Sequence, residues 1–190
     1  MKNKIIYNYF LLLFSLIPIS ILAGSGFSVS NILLIDLSFL IYMFYLKDFS
    51  FLKNESIKYL LIFYLYLIFN SFISIDSEQG IMRNFGFIRI IIFFVALNFF
   101  FNQKSFLEKT LFIWSLILLV VVFDIFFERF NGTNLLGYPK ETTTYFGNRI
   151  VSFFRDEPIV GGFVNAFYLI LIGFLLNKFG PKKSNYIIIL

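Results

Sequence analysis

Six stretches of this chain are apolar for so long that they fix what it can be. They cover about Ile5–Ala23, Val29–Leu46, Ile57–Ile75, Phe85–Phe101, Thr110–Phe127 and Ile159–Leu176. Roughly 18–20 apolar residues, rising about 1.5 Å each, are what a helix needs to cross a hydrocarbon core about 30 Å thick. Lipid offers no partner to a backbone N–H or C=O, so such a run satisfies itself as a helix. The runs are continuously apolar and do not alternate with period two, which argues against a β-barrel. The fold class expected is therefore all-α: a polytopic transmembrane helical bundle forming a single membrane domain over residues 1–190. Asn185–Leu190 begins a seventh apolar run and stops. That is too short to cross a bilayer, and it predicts that the chain is an N-terminal fragment.

The remaining composition agrees. Only 14% of residues are charged, against about 25% in a soluble domain. The net charge of +5 is a topology signal here and does not point to nucleic acid. There is no Cys and no His, which removes disulfide, thiolate and imidazole chemistry from these residues. The first run is too long for a signal peptide, and Ile21 stands where a cleavage site before Ala23 wants a small residue. It reads as a retained span with a kink at Pro18.

Lysine sets the expected orientation. Lys2, Lys4, Lys47, Lys53, Lys58, Lys104, Lys109, Lys178, Lys182 and Lys183 all fall on one side, and Lys140 alone falls on the other. The lysine-rich side is read as the cytoplasm. The arginines reverse this. Arg83, Arg129, Arg149 and Arg155 lie in loops of the opposite, outer side, and Arg89 lies about a turn inside span four. Retaining the planar guanidinium fork where the positive-inside rule is broken points to phosphate or carboxylate recognition; the plainer reading is loop anchoring. Asp36, Arg89 and Asp124 are the intramembrane charges, within roughly 5–12 Å of the outer interface. A charge in hydrocarbon must pair or face water. Arg89 paired with Asp36 or Asp124 is the expected structural ion pair.

One connection is long, about 128–158, where the others are short. It carries Gly132, Gly137, Pro139 and Thr142–Thr144, and a loop of this length is commonly functional or disordered. Glu128 and Arg129 could extend span five. Ser152 to Glu157 reads as a short interfacial helix with Phe153 and Phe154 dipping into lipid. Pro158 suits the first turn of span six, with Asp156 or Glu157 favourable at its N-terminus. Arg149, Arg155, Asp156 and Glu157 thus gather just before a hydrophobic span. This is either a helix-end charge cluster or a site. No Walker loop, Rossmann glycine pattern, zinc signature or Ser/His/Asp set is present. Asn131–Gly–Thr133 matches a glycosylation sequon, a match short enough to arise by chance. Asp76–Ser–Glu78 is an acidic pair better read as solvated loop charge than as a metal site.

The order Asp124, Gly132–Thr–Asn134–Leu–Leu–Gly137, then Arg149–Ile–Val–Ser–Phe–Phe–Arg155–Asp156–Glu157–Pro–Ile–Val–Gly161–Gly162 resembles the bacterial O-antigen polymerase and ligase family. The resemblance covers about 70–162. It departs from the common form at Arg155, where many members carry Gly, and at Pro158. The later outer loop of the family, with further arginines and in ligases a His, has no counterpart in these residues, so polymerase and ligase both stay open.

The resemblance implies a glycosyltransferase of the bacterial inner membrane, with a cytoplasmic N-terminus and a periplasmic active face. The donor would be an undecaprenyl-pyrophosphate-linked glycan, the acceptor another sugar, and no cofactor or metal is implied. Catalytic candidates are Arg149 and Arg155 at the pyrophosphate, with Glu157 or Asp156 as base. Arg89, Arg129 and Asn134 would contact substrate, and Asp36 and Asp124 would hold Arg89. Expected partners are the lipid-linked glycan, the bilayer and other polysaccharide-assembly membrane proteins, with no nucleic acid. The 190-residue stretch alone is expected to be inactive. A transporter of lipid-linked sugars and a non-catalytic remnant are the other readings; a transporter would show repeated halves and broken midplane helices.

Overall fold

A computed structural model of the protein describes residues 4–47, 49, 51, 54–139, 149–154 and 159–179. Within these, the chain is helical, with no strand longer than an isolated bridge. The helices are α1 (Lys4–Ser15), α2 (Ile17–Leu22), α3 (Ser25–Leu46), α4 (Glu55–Phe72), α5 (Ser77–Phe85), α6 (Ile88–Phe101), α7 (Lys104–Asn131) and α8 (Val160–Phe179). Among the described residues, five helical stretches are long and apolar enough to cross a membrane: Lys4–Leu22, Ser25–Leu46, Ser77–Phe101, Lys104–Asn131 and Val160–Phe179. The sequence reading has a sixth over 57–75. The structure places α4 there, with Glu55, Lys58 and Asn70 lowering its hydropathy below that of the five. The start of a seventh span, Asn185–Leu190, lies outside the described residues.

Local chemistry explains the helix ends. The first span breaks at Leu16, and Pro18 occupies the first turn of α2. Proline has no N–H to donate and its ring crowds the carbonyl four residues back, so the ladder is interrupted just ahead of it. Asn54 caps α4 by accepting from Ser56 N at 3.0 Å. Asp76 caps α5 by accepting from Gln79 N at 3.2 Å.

The chain divides into two compact units, Met1–Phe14 with Val29–Leu107, and Ser15–Ser28 with Glu108–Leu190. The first is built around phenylalanine. Phe10, Phe14, Phe39, Phe100 and Phe106 are all buried. Phe100 is the hub, with ring centroids 4.3 Å from Phe10, 5.5 Å from Phe14, 5.1 Å from Phe106 and 6.2 Å from Phe39. Tilted, edge-on and stacked ring pairs at these distances gain quadrupole as well as dispersion energy. That matters in lipid, where burial of apolar area alone drives nothing and packing holds helices together. Asn31 Nδ2 donates to the Leu13 carbonyl at 3.3 Å. α4 packs against α5 and α6. Asn84 of α5 donates to Ser71 Oγ at 2.7 Å and to the Leu67 carbonyl at 3.1 Å, tying α5 to the end of α4.

The second unit holds the site. Its α7 and α8 are joined at one end by an ion pair, Lys178 Nζ to Glu108 Oε1 at 3.0 Å. Both groups are partly exposed, which leaves the pair worth at most about 1 kcal/mol. Further along, an aromatic ladder runs Trp114, Phe167, Phe163, Phe154, with centroids 5.3, 4.6 and 5.4 Å apart. Phe163 and Phe167 are four apart on α8 and so share a face.

Candidate functional site

At the far end of α7 two carboxylates sit four residues apart on one helix face, Asp124 and Glu128. Both are fully buried. Glu128 receives two consecutive backbone amides, Val151 N on Oε1 at 3.1 Å and Ser152 N on Oε2 at 2.6 Å. Asp124 receives Leu135 N on Oδ1 at 2.7 Å and Ser152 Oγ on Oδ2 at 2.5 Å. Hydrogen bonds with an ionised partner are the strong ones, each contributing roughly 1.5–3 kcal/mol. Two pieces of the long connection are thereby hung on α7.

The first piece, 132–139, folds by its own turn chemistry. Gly132 ends α7 at φ +80°, and its N–H bonds the Glu128 carbonyl at 2.9 Å. That is a left-handed helix cap, a conformation glycine enters without steric cost. A Cβ there would meet open space, so Gly132→Ala carries the backbone cost alone. It is expected to destabilise the unit by about 1 kcal/mol. Gly161→Ala, helical and equally unobstructed, should be neutral or stabilising. Unfolding followed by the fluorescence of Trp114, the only tryptophan, compares them; equal midpoints would refute the cap assignment. Beyond Gly132, Asn134 closes a turn with its side chain. Its Oδ1 accepts from Leu136 N at 3.0 Å and Tyr138 N at 2.9 Å. Its Nδ2 donates to the Ser152 carbonyl at 2.7 Å.

The second piece, 149–154, contains a 3-10 turn, Ser152–Phe154. Ser152 is fully buried at φ +52°, uncommon for a residue with a Cβ and costing on the order of 1 kcal/mol. Its N–H, Oγ and carbonyl are taken by Glu128, Asp124 and Asn134. Phe154 is buried against Phe163.

Next to this knot lies an apolar cavity of about 920 Å³. Ile19–Ser28 supply one wall through Ile21, Gly24 and Phe27, α7 another through Ile117, Val120 and Val121, and the loop the third through Leu136, Phe153 and Phe154. Phe153 and Phe154, expected to dip into lipid, line this cavity. A smaller recess of about 450 Å³ is lined by Ile125, Ile150, Val160, Gly161, Val164, Asn165 and Tyr168.

The sequence-predicted residues fall as follows. Arg149 is exposed, two residues ahead of the pinned Val151. Arg155, Asp156 and Glu157 lie outside the described residues. Arg129 is exposed on the last turn of α7. Asn134, expected to contact substrate, is buried with its amide spent on Ser152, Leu136 and Tyr138. Asp124, expected to hold Arg89, accepts from Leu135 N and Ser152 Oγ. The reason is that the loop folds back over α7 and its own donors reach the carboxylate. Asp36 is buried in α3, with both oxygens lacking a hydrogen-bond partner among the described residues. The Arg89 guanidinium, near the start of α6, lies within electrostatic reach of it. Glu128 and Ser152 were missed as site residues. The spacing of Asp124 and Glu128, four apart with no cation between them on that face, was the available signal.

No protein-family model, curated protein or solved structure matches the chain.

Proposed function

We propose that this chain belongs to a membrane glycosyltransferase of the O-antigen polymerase type, transferring a glycan from a polyprenyl-pyrophosphate donor to an acceptor sugar. The observation that carries the reading is a juxtaposition. A loop segment bearing an exposed arginine is fastened by two buried carboxylates beside a large apolar cavity. That pairing suits an amphiphile with an anionic head and a hydrocarbon tail. The cavity takes part of the tail, and Arg149 takes the pyrophosphate, whose fork-like oxygens match a guanidinium.

The acceptor hydroxyl oxygen attacks the anomeric carbon of the donor sugar. The bond from that carbon to the pyrophosphate oxygen breaks, and the hydroxyl proton passes to a base. Asp156 and Glu157, which follow Arg149 by seven and eight residues, are the candidate bases. Charge builds on the leaving pyrophosphate, and a guanidinium placed beforehand stabilises it more in the transition state than in the ground state. The ligase of the same family performs the same chemistry on a different acceptor. The periplasmic face and the inner membrane belong to this proposal, on the lysine asymmetry.

The test is a glycan gel from cells deleted for the gene and complemented with variants. Deletion should abolish the long-chain ladder while a single repeat stays attached to the lipid core. Loss of all attached glycan would indicate the ligase. Arg149→Ala, and also Arg149→Lys, should cut transfer by about a hundredfold or more, since a point charge does not reproduce the fork. A full ladder in the deletion strain would end the proposal, and a full ladder with Arg149→Ala would remove Arg149 from it.

A further inference from the structure

We propose that Asp124 and Glu128 are positioning residues, acting on the donor pyrophosphate through Ser152 and hence through Arg149, and touching no substrate themselves. This rests on the glycosyltransferase reading above.

Both side chains are fully buried and all four carboxylate oxygens are engaged. Neither is placed to take a proton from a sugar hydroxyl. Their effect is on register. Every polar group of Ser152 is held by a different side chain: N–H by Glu128, Oγ by Asp124, carbonyl by Asn134. Val151 N–H is held as well. Sliding this segment by one residue along α7 would break all of these bonds at once and bury unpaired donors, which a dry interior penalises heavily. Arg149 stands two residues before the fastened pair. The knot therefore fixes the backbone close to Arg149.

The two carboxylates should differ in how well they tolerate replacement by an amide, because the donors they face differ. Among the described residues, Glu128 accepts from two backbone N–H donors, so both oxygens must accept. Glu128→Gln presents an amide N–H₂ to one of those donors and satisfies only the other. Asp124 faces one N–H and one hydroxyl. A serine hydroxyl donates or accepts. In Asp124→Asn the amide oxygen can keep Leu135 N while Nδ2 donates to Ser152 Oγ. Glu128→Gln should hence be the damaging substitution and Asp124→Asn the far milder one.

Two measurements on the full-length protein in detergent decide this. The first is labelling of Arg149→Cys by a charged maleimide. The rate should rise roughly tenfold when Glu128→Gln is added, the loss of about one charged hydrogen bond, and much less when Asp124→Asn is added. Equal rates in all three backgrounds would overturn the proposal. If Glu128→Gln does not accumulate as folded protein, Ser152→Ala, which deletes only the hydroxyl bond, should raise labelling by a smaller factor; no rise would count equally against it. The second is a double-mutant cycle on transfer from a polyprenyl-pyrophosphate donor. Glu128→Gln should lower kcat, and its effect should largely vanish in the Arg149→Lys background, since residues acting through one another are non-additive. Losses that simply multiply would mean that Glu128 acts on the fold and not on Arg149. If no background transfers glycan from the donor, the glycosyltransferase reading fails, and the labelling result still shows whether Glu128 fixes the backbone at position 149; if Arg149→Ala leaves transfer intact, Arg149 has no part in it and this proposal falls.

Discussion

Glu128→Ala is expected to lower the stability of the second unit by about 3 kcal/mol or more. The carboxylate is fully buried and is the acceptor for both Val151 N and Ser152 N. Removing it leaves two backbone donors buried without partners, each costing roughly 1–3 kcal/mol. It also loosens a segment held at positive φ, whose strain is sustained only while its neighbours fix it. Unfolding in detergent, read from Trp114, measures the effect. Trp114 packs edge-on to Phe167 in the same unit and reports on it directly. A midpoint within about 0.5 kcal/mol of the parent protein would show that these donors find another acceptor and that the knot is not a stability element.

Phe100→Ala is expected to cost the first unit about 3–5 kcal/mol, the range for deleting a fully buried aromatic ring. The ring lies at 0% exposure among Phe10, Phe14, Phe39, Phe99 and Phe106. The void it leaves is walled by other large rings on several helices, which cannot all close in together. Phe126, on the exposed face of α7, serves as the contrast. Its removal exchanges ring contacts for lipid or detergent contacts and should cost well under 1 kcal/mol. Thermal loss of soluble protein in a fixed detergent compares the two. Similar losses for Phe100→Ala and Phe126→Ala would mean that the phenylalanine cluster is not the packing core that its geometry describes.

The two expectations concern features with very different visibility in the sequence. Thirty phenylalanines in an apolar chain carry no pattern separating Phe100 from Phe126. Both sit in continuously apolar runs, and lipid-facing and partner-facing rings are chemically the same. The loop was partly visible. Glycines at 132 and 137, the Asn134 between them and the buried position of Asp124 could all be singled out by residue type. Their assigned tasks could not. Asn134 and Asp124 were expected to serve a substrate and Arg89, and the hydrogen bonds they make in the structure run to the loop. Glu128 was expected at the edge of a span and lies at the centre of the knot.

What the sequence determined by itself was the local order. Apolar run length makes helices, because a backbone in lipid must satisfy itself within its own segment. Pro18 interrupts the first helix, Gly132 ends α7, and Asp76 starts α5, each through bonds spanning no more than a few residues. What the tertiary structure decided was which donors reach which acceptors over long separations. Glu128 meets residues 23 and 24 positions ahead, and Asp124 meets one 28 positions ahead. Those meetings depend on how the connection folds back over α7. A buried carboxylate takes the nearest donors that the fold delivers to it. Residue type announces only that some donors must come.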